Sequence, residues 1–174
     1  MIELSDRLNA MEESATIAMS RKSRELKQQG KDIISLSLGE PDFFTPQFIK
    51  DAAAQAMKDN YTMYTPVPGY EDLREAISRK FKRDNNLDYK ADQIVVSTGA
   101  KQSIANVVLS IVNAGDEVII PAPYWVSYVE IVKVAEGESI IVNAGIESDF
   151  KITPAQLEAA ITPKTKMMIF STPC

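Results

Sequence analysis

The sequence predicts an α/β protein, a parallel sheet covered by helices. First, short β-branched runs recur from Ile94 onward, and strands are expected at 94–97, 117–120, 139–142 and 166–170. Second, the intervening stretches 100–112, 125–135 and 154–161 have the apolar spacing of helices. Such alternation is how parallel strands are joined by crossover helices. Third, 174 residues at 45% hydrophobic and 25% charged have the length and balance of a domain with a sizeable core.

Taken in order, a first helix is expected over 14–29, with Ala18, Met19 and Leu26 along one side and Gly30 just past its end. A short strand at 33–36 then runs into the turn-rich Leu38-Gly39-Glu40-Pro41-Asp42. Thr45 should cap a helix that has Pro46 at its first position and runs to about residue 58. The loop 60–69 carries Tyr61, Tyr64, Pro66 and Pro68, and each proline pushes the residue before it out of the helical region. A helix over 70–84 follows, with Leu73, Ile77 and Phe81 on one face. Composition places a change of domain near 87–91, with an appendage before it and an α/β core after it.

Helix 100–112 presents Ile104, Val107, Val108 and Ile111 as its apolar stripe. Thr153-Pro154-Ala155-Gln156 forms a capping box with proline at the first helical position. The last strand, 166–170, is followed only by Ser171-Thr172-Pro173-Cys174. A buried parallel strand should lead to a crossover or a closing edge, so the chain is expected to be cut short of a finished domain.

Composition also excludes chemistries. A net charge of −5 argues against a nucleic-acid partner, and the basic run Arg79–Arg83 falls on a helix as a solvated face. With no histidine there is no Ser/His or Cys/His couple, and no metal site is expected. The one cysteine, Cys174, permits no intrachain disulfide and fits a reducing, cytoplasmic setting. Glu3 and Asp6 do not suit a secretory start, and no apolar run is long enough for a bilayer. For an enzyme, the hard chemistry would come from a cofactor or from residues elsewhere.

Several residues have two readings. Strand 94–97, the turn Ser97-Thr98-Gly99 and helix 100–112 aim backbone N–H groups and a positive helix end at one point, which suits a phosphate. Lys101 in the first helical turn opposes the macrodipole unless an anion binds there. By itself the stretch reads first as an ordinary βα connection with a surface lysine, since one glycine is a weak phosphate signal. Gly39 is either a turn glycine or a place where backbone N–H approaches a carboxylate. Trp125, the only tryptophan, is either core or an indole stacked on a planar ring at the strand ends. Tyr64 either packs or reaches an anion, and Ser14 and Thr16 are capping or surface residues by default.

Taken together, these residues form blocks. Leu38-Gly39-Glu40-Pro41-Asp42-Phe43 with Thr45-Pro46 resembles the Gly-Glu-Pro-Asp-Phe block of class I/II aminotransferases. Tyr64 with Gly69-Tyr70-Glu71-Asp72-Leu73-Arg74-Glu75-Ala76-Ile77 is similar to that family's Tyr…Gly…Leu-Arg-x-Ala block. Thr98-Gly99-Ala100-Lys101-Gln102 and Pro121-Ala122-Pro123-Tyr124-Trp125-Val126-Ser127-Tyr128 resemble two further blocks in the same order. The resemblance spans essentially the whole chain and is nearest to prokaryotic-type aspartate aminotransferases.

That resemblance implies the fold type I architecture of enzymes using pyridoxal 5′-phosphate (PLP). Residues 1–45 would be an N-terminal segment of small domain and dimer arm, and 46–174 the first part of the large PLP-binding domain. Gly99, Ala100 and Lys101 would give backbone N–H groups to the cofactor phosphate, and Trp125 would stack on its ring. Gly39 would meet the substrate α-carboxylate, and Tyr64 would reach across a homodimer interface to the other subunit's phosphate. Lys101 and Thr16 would lie near the side-chain carboxylate of an acidic substrate. The substrates would be an amino acid, aspartate or a similar one, and a 2-oxo acid.

Met63 stands where relatives often carry a base, and Ala100 where glycine or serine is more usual; neither removes a backbone donor. The family's next block, Asn-Pro-x-Gly, would begin just beyond Cys174. The aspartate that pairs the pyridine nitrogen, the Schiff-base lysine and the arginine that clamps the α-carboxylate are not in these residues. No catalytic residue is therefore expected in this chain, and alone it should be inactive. The alternative expectation is a truncated, non-enzymatic module that binds a phosphate compound or a protein.

Overall fold

Three parallel strands, β1 (Glu117–Ala122), β2 (Glu138–Asn143) and β3 (Thr165–Met168), lie side by side in the order β2-β1-β3. The computed structural model describes residues 3–172. β1 and β2 pair in register from Glu117 with Glu138 to Ala122 with Asn143. β1 and β3 pair with an irregularity between Glu117 and Val118. In the central strand Val118, Ile119 and Ile120 are at most 1% exposed, as its uninterrupted apolar run requires when both faces are covered.

The helices are α1 (Asp6–Asn9), α2 (Ala15–Gln28), α3 (Gln47–Lys58), α4 (Glu71–Asn85), α5 (Ala100–Ile111), α6 (Ser127–Val134) and α7 (Pro154–Ala160). The chain forms two compact units: one is Gly39–Ser103, and the other joins the stretch up to Leu38 with that from Ile104 on. The sheet unit builds its core from Val108 and Val112 after α5 begins, Val118 and Ile120 of β1, Tyr128 and Val132 of α6, and Ile169. Burial of such side chains contributes roughly 1.5–3 kcal/mol each.

Helix ends follow local chemistry. After α2, Gly30 takes φ +77, its N–H donates to Lys27 O, and Lys31 N–H donates to Leu26 O. Those paired bonds make a Schellman stop. Asn60 after α3 (φ 62) and Glu136 after α6 (φ 60) close their helices with the same bonds. At α7 the capping box is complete: Gln156 N–H donates to Thr153 Oγ1 and Thr153 N–H to Gln156 Oε1.

The sequence reading needs correction at several places. Residues 94–97 form no strand, although Ile94 is extended (φ −117, ψ 129) and 7% exposed. A strand exists through the bonds of its neighbour, and here the backbone bond that ties this segment to the loop 60–69 is Val96 N–H to Pro68 O. Residues 33–36 form no strand either, and Ile34 and Leu36 stand 86% and 91% exposed. Pro46 is the N-cap of α3 rather than its first residue, which leaves Thr45 outside the capping position. On α5 the inward face is Ile104, Val108 and Val112, spaced by four, while Val107 and Ile111 are exposed. Met19 on α2 and Leu73 on α4 also face outward. α6 starts at Ser127, so Trp125 precedes the helix.

Among the described residues, no helix is long and apolar enough to cross a membrane. No group of three or more His, Cys, Asp or Glu among them is placed to hold a metal ion. Cys174 lies outside the described residues.

Candidate functional site

In the unit Gly39–Ser103, one turn opens α5. Gly99 takes φ +89, a conformation suited to glycine. Its N–H donates to Ser97 O at 2.8 Å, and Thr98 N–H donates to Gln102 Oε1. Gly99 therefore supplies the bend, and its own amide is turned back onto Ser97. Ala100 opens the helix, and its amide has no intrahelical acceptor by helix geometry. Nothing lies within 4 Å of where a Cβ on Gly99 would sit, so the space beside the glycine is open. Lys101 is exposed on the first turn of α5.

The loop 60–69 is tied to this region from its far end. Val96 N–H donates to Pro68 O at 2.9 Å. Arg74 of α4 donates from Nε to Gly69 O (3.2 Å) and from Nη1 to Ala91 O (2.7 Å). A guanidinium fork is built for such double donation, and it holds the loop end and the approach to residue 94 together. Within the loop, Tyr61 and Tyr70 meet edge to face at 5.6 Å. Tyr64 stands fully exposed, as does the neighbouring Val67. Gly39 is exposed, with nothing within 4 Å of its missing Cβ.

The sheet unit holds Thr16 and Trp125. Thr16 is half-buried in the first turn of α2, whose N-cap Ser14 makes no side-chain bond. Trp125 follows β1 and the cis peptide Ala122–Pro123, at the carboxyl end of the strand. Its indole is 39% exposed, and Tyr128 meets it edge-on at 5.6 Å and 89°. Nearby on α6, Lys133 Nζ donates to Glu130 Oε1 at 2.9 Å, which holds the lysine pKa above its ordinary value. Glu12 N–H donates to the other Glu130 oxygen at 3.2 Å and fastens the N-terminal segment to α6.

A cavity of about 450 Å³ opens at the carboxyl ends of β1 and β3. Its walls are Pro121–Pro123, Asp149–Ile152, Met168 and the segment Phe170–Thr172. Strand ends are where open α/β sheets bind ligands. Sequence reasoning missed two contributors: the 149–152 turn and Ser171. The turn carried a local signal, since Asp149 tolerates the left-handed φ of 54 that it adopts. Its place at the strand ends is a long-range fact with no local trace.

The pattern describing aminotransferases of class I and II matches residues 31–174. The chain is 55% identical over 170 residues to a probable aspartate/prephenate aminotransferase of Rickettsia bellii, covering 98% of this chain and 43% of the relative. It is 51% identical to the aspartate/prephenate aminotransferase of Nitrosomonas europaea, with 99% and 43% covered. The crystal structure of an aspartate aminotransferase from Rhizobium meliloti superposes with a TM-score of 0.94 at 39% identity, covering 99% of this chain and 43% of that one. The Thermus thermophilus aspartate aminotransferase with maleate gives 0.92 at 43% identity, with 97% and 44% covered. The chain thus spans under half the length of the relatives it matches.

Proposed function

This chain belongs to the class I and II aminotransferase family, and from that premise we propose that it is the N-terminal portion of a PLP-dependent aminotransferase. The reaction moves an amino group between aspartate, or a similar amino acid, and a 2-oxo acid. The observation that carries the cofactor assignment is the turn at Gly99, bent at φ +89 with open space beside the glycine and a helix after it. That cradle fits a phosphate: the amides of Ala100 and Lys101 and the positive end of α5 favour the anion. The half-open face of Trp125 fits a planar ring beside it.

In this reading Ala100 and Lys101 hold the phosphate, Gly99 shapes their turn, and Trp125 covers one face of the ring. Gly39 leaves room for the substrate α-carboxylate at its backbone N–H. Tyr64 carries its phenol to the phosphate held by the second subunit of a homodimer, a role that suits an exposed ring on a braced loop. Lys101 and Thr16 select a second, distal carboxylate. Relatives named for aspartate and prephenate, and a Thermus enzyme with maleate, support that choice, because all three molecules carry two carboxylates. PLP, when bound, supplies the electron sink for charge that develops at the substrate α-carbon. The chain's residues bind and orient; none of them is placed as the base that moves the proton.

Two measurements test the proposal. The full polypeptide should take up PLP and convert aspartate with a 2-oxo acid acceptor, prephenate included. The 174-residue chain, reduced with borohydride in the presence of PLP and mapped by peptides, should yield no stoichiometric, site-specific lysyl adduct and no transamination. Such an adduct with turnover would overturn the assignment.

A further inference from the structure

Tyr128 contacts the Trp125 indole and the Ser171 hydroxyl with one side chain, and Ser171 lines the strand-end cavity. It lies in the first turn of α6 and is 7% exposed. Its ring meets the Trp125 indole edge-on at 5.6 Å and 89°. Its hydroxyl lies 2.9 Å from Ser171 Oγ, in the segment that follows β3 and lines the cavity. A phenylalanine would fill the same apolar pocket, whereas a buried hydroxyl is tolerated only when bonded. The bond to Ser171 is therefore what that oxygen contributes.

The neighbouring backbone makes the link matter. Ile169 N–H donates to Ile119 O at 2.9 Å, so pairing with β1 reaches Ile169; Ser171 comes two residues later. Trp125 stands between Pro123 and the start of α6, outside regular structure. Trp125 and Ser171 thus both stand in short irregular segments, and the phenol joins them. A tilt of the indole and a shift of residues 170–172 must then occur together.

We propose that Tyr128 is a positioning residue that couples the Trp125 indole to the strand end at Ser171, so that ring stacking and the cavity-lining segment 170–172 are set as one unit. This rests on the reading of Trp125 as the ring that covers PLP. The test uses the full polypeptide, with any tryptophan other than Trp125 replaced by phenylalanine, and the variants Tyr128→Phe, Ser171→Ala, their double and Ser171→Thr. In PLP-free protein, acrylamide quenching of Trp125 emission should rise in both single variants, and the double should exceed neither. PLP should bind roughly 2- to 10-fold more weakly in each single variant, the range expected for one lost hydrogen bond, and Ser171→Thr should restore both readouts. Unchanged quenching in Tyr128→Phe and Ser171→Ala, or effects that simply add in the double, would overturn the coupling. Changed quenching with wild-type PLP affinity would overturn the link to the cofactor. A wild-type protein that takes up no PLP would sink the aminotransferase reading instead, and quenching would still decide the coupling.

Discussion

Gly69 and Val96 pack so closely that a single added carbon has no place between them. A Cβ on Gly69 would lie 2.7 Å from Val96 Cγ2 and 2.9 Å from Val96 Cβ, and Gly69 itself holds φ +96. The adjacent bond from Val96 N–H to Pro68 O, 2.9 Å long, prevents the two segments from drawing apart. Gly69→Ala should therefore destabilise the chain by about 2–4 kcal/mol, combining left-handed strain with overpacking. Chemical denaturation checks this, and adding Val96→Ala should recover part of the loss, a non-additivity that strain alone would not give.

The capping box of α7 makes a smaller, cleaner prediction. Thr153→Ala removes the acceptor for Gln156 N–H and should cost about 1 kcal/mol, while Thr153→Ser should cost much less. A shift in denaturation midpoint for alanine equal to that for serine would contradict the assigned role.

Glu136 ends α6 in the left-handed region at φ 60, where an L side chain is strained and glycine is not. Glu136→Gly should stabilise the chain by about 0.5–1 kcal/mol, the relief of strain exceeding the extra chain entropy of glycine. A rise in Tm is the readout.

The pH dependence has an identified source in Asp116. Asn113 N–H donates to its carboxylate at 2.8 Å, Asn113 Nδ2 adds a second bond, and Lys166 lies 3.9 Å away. These hold the carboxyl below its ordinary 3.8, the backbone bond first. Because the folded value is lowered, this stabilisation is complete above the ordinary carboxylate range and is lost as pH falls through the folded value. The stability gap between wild type and Asp116→Asn should thus narrow on acidification, as read from denaturation curves across that range.

For catalysis by the full polypeptide, Lys101→Ala should lower kcat/KM for aspartate by roughly 10- to 100-fold, the scale of a lost hydrogen bond between charged groups. Alanine, which lacks a distal carboxylate, should be nearly unaffected as substrate. Equal losses for both would show that the lysine serves the phosphate alone.

Elements governed by neighbouring residues were legible in the sequence. Gly30 stops α2 and Thr153 with Gln156 starts α7, because those signals act within one turn. The β1–α6–β2 and β2–α7–β3 units were legible from period changes alone. Residues 94–97 were misread because β-branched composition reports burial, which Ile94 shows, whereas strand identity depends on a neighbour that composition does not reveal. The turn at Gly99 was visible as a glycine between two periodicities. That the glycine amide is turned back onto Ser97 O was not, since it depends on the backbone path through the turn. Tyr128 falls within the block 121–128, but its partner Ser171 lies 43 residues on, beyond any local pattern.

β3 shares its backbone bonds with β1 on one side, and β1 is its one partner strand among the described residues. Past the irregularity at its start, the opposite rim runs beside Met167, Met168 and Ile169 with no proline to blunt it. For anyone handling the isolated chain, this rim is a template for strand addition by another molecule. Self-association should then set its working concentration before unfolding does, and a lysine at Met168, already 38% exposed, is the substitution that would blunt the template.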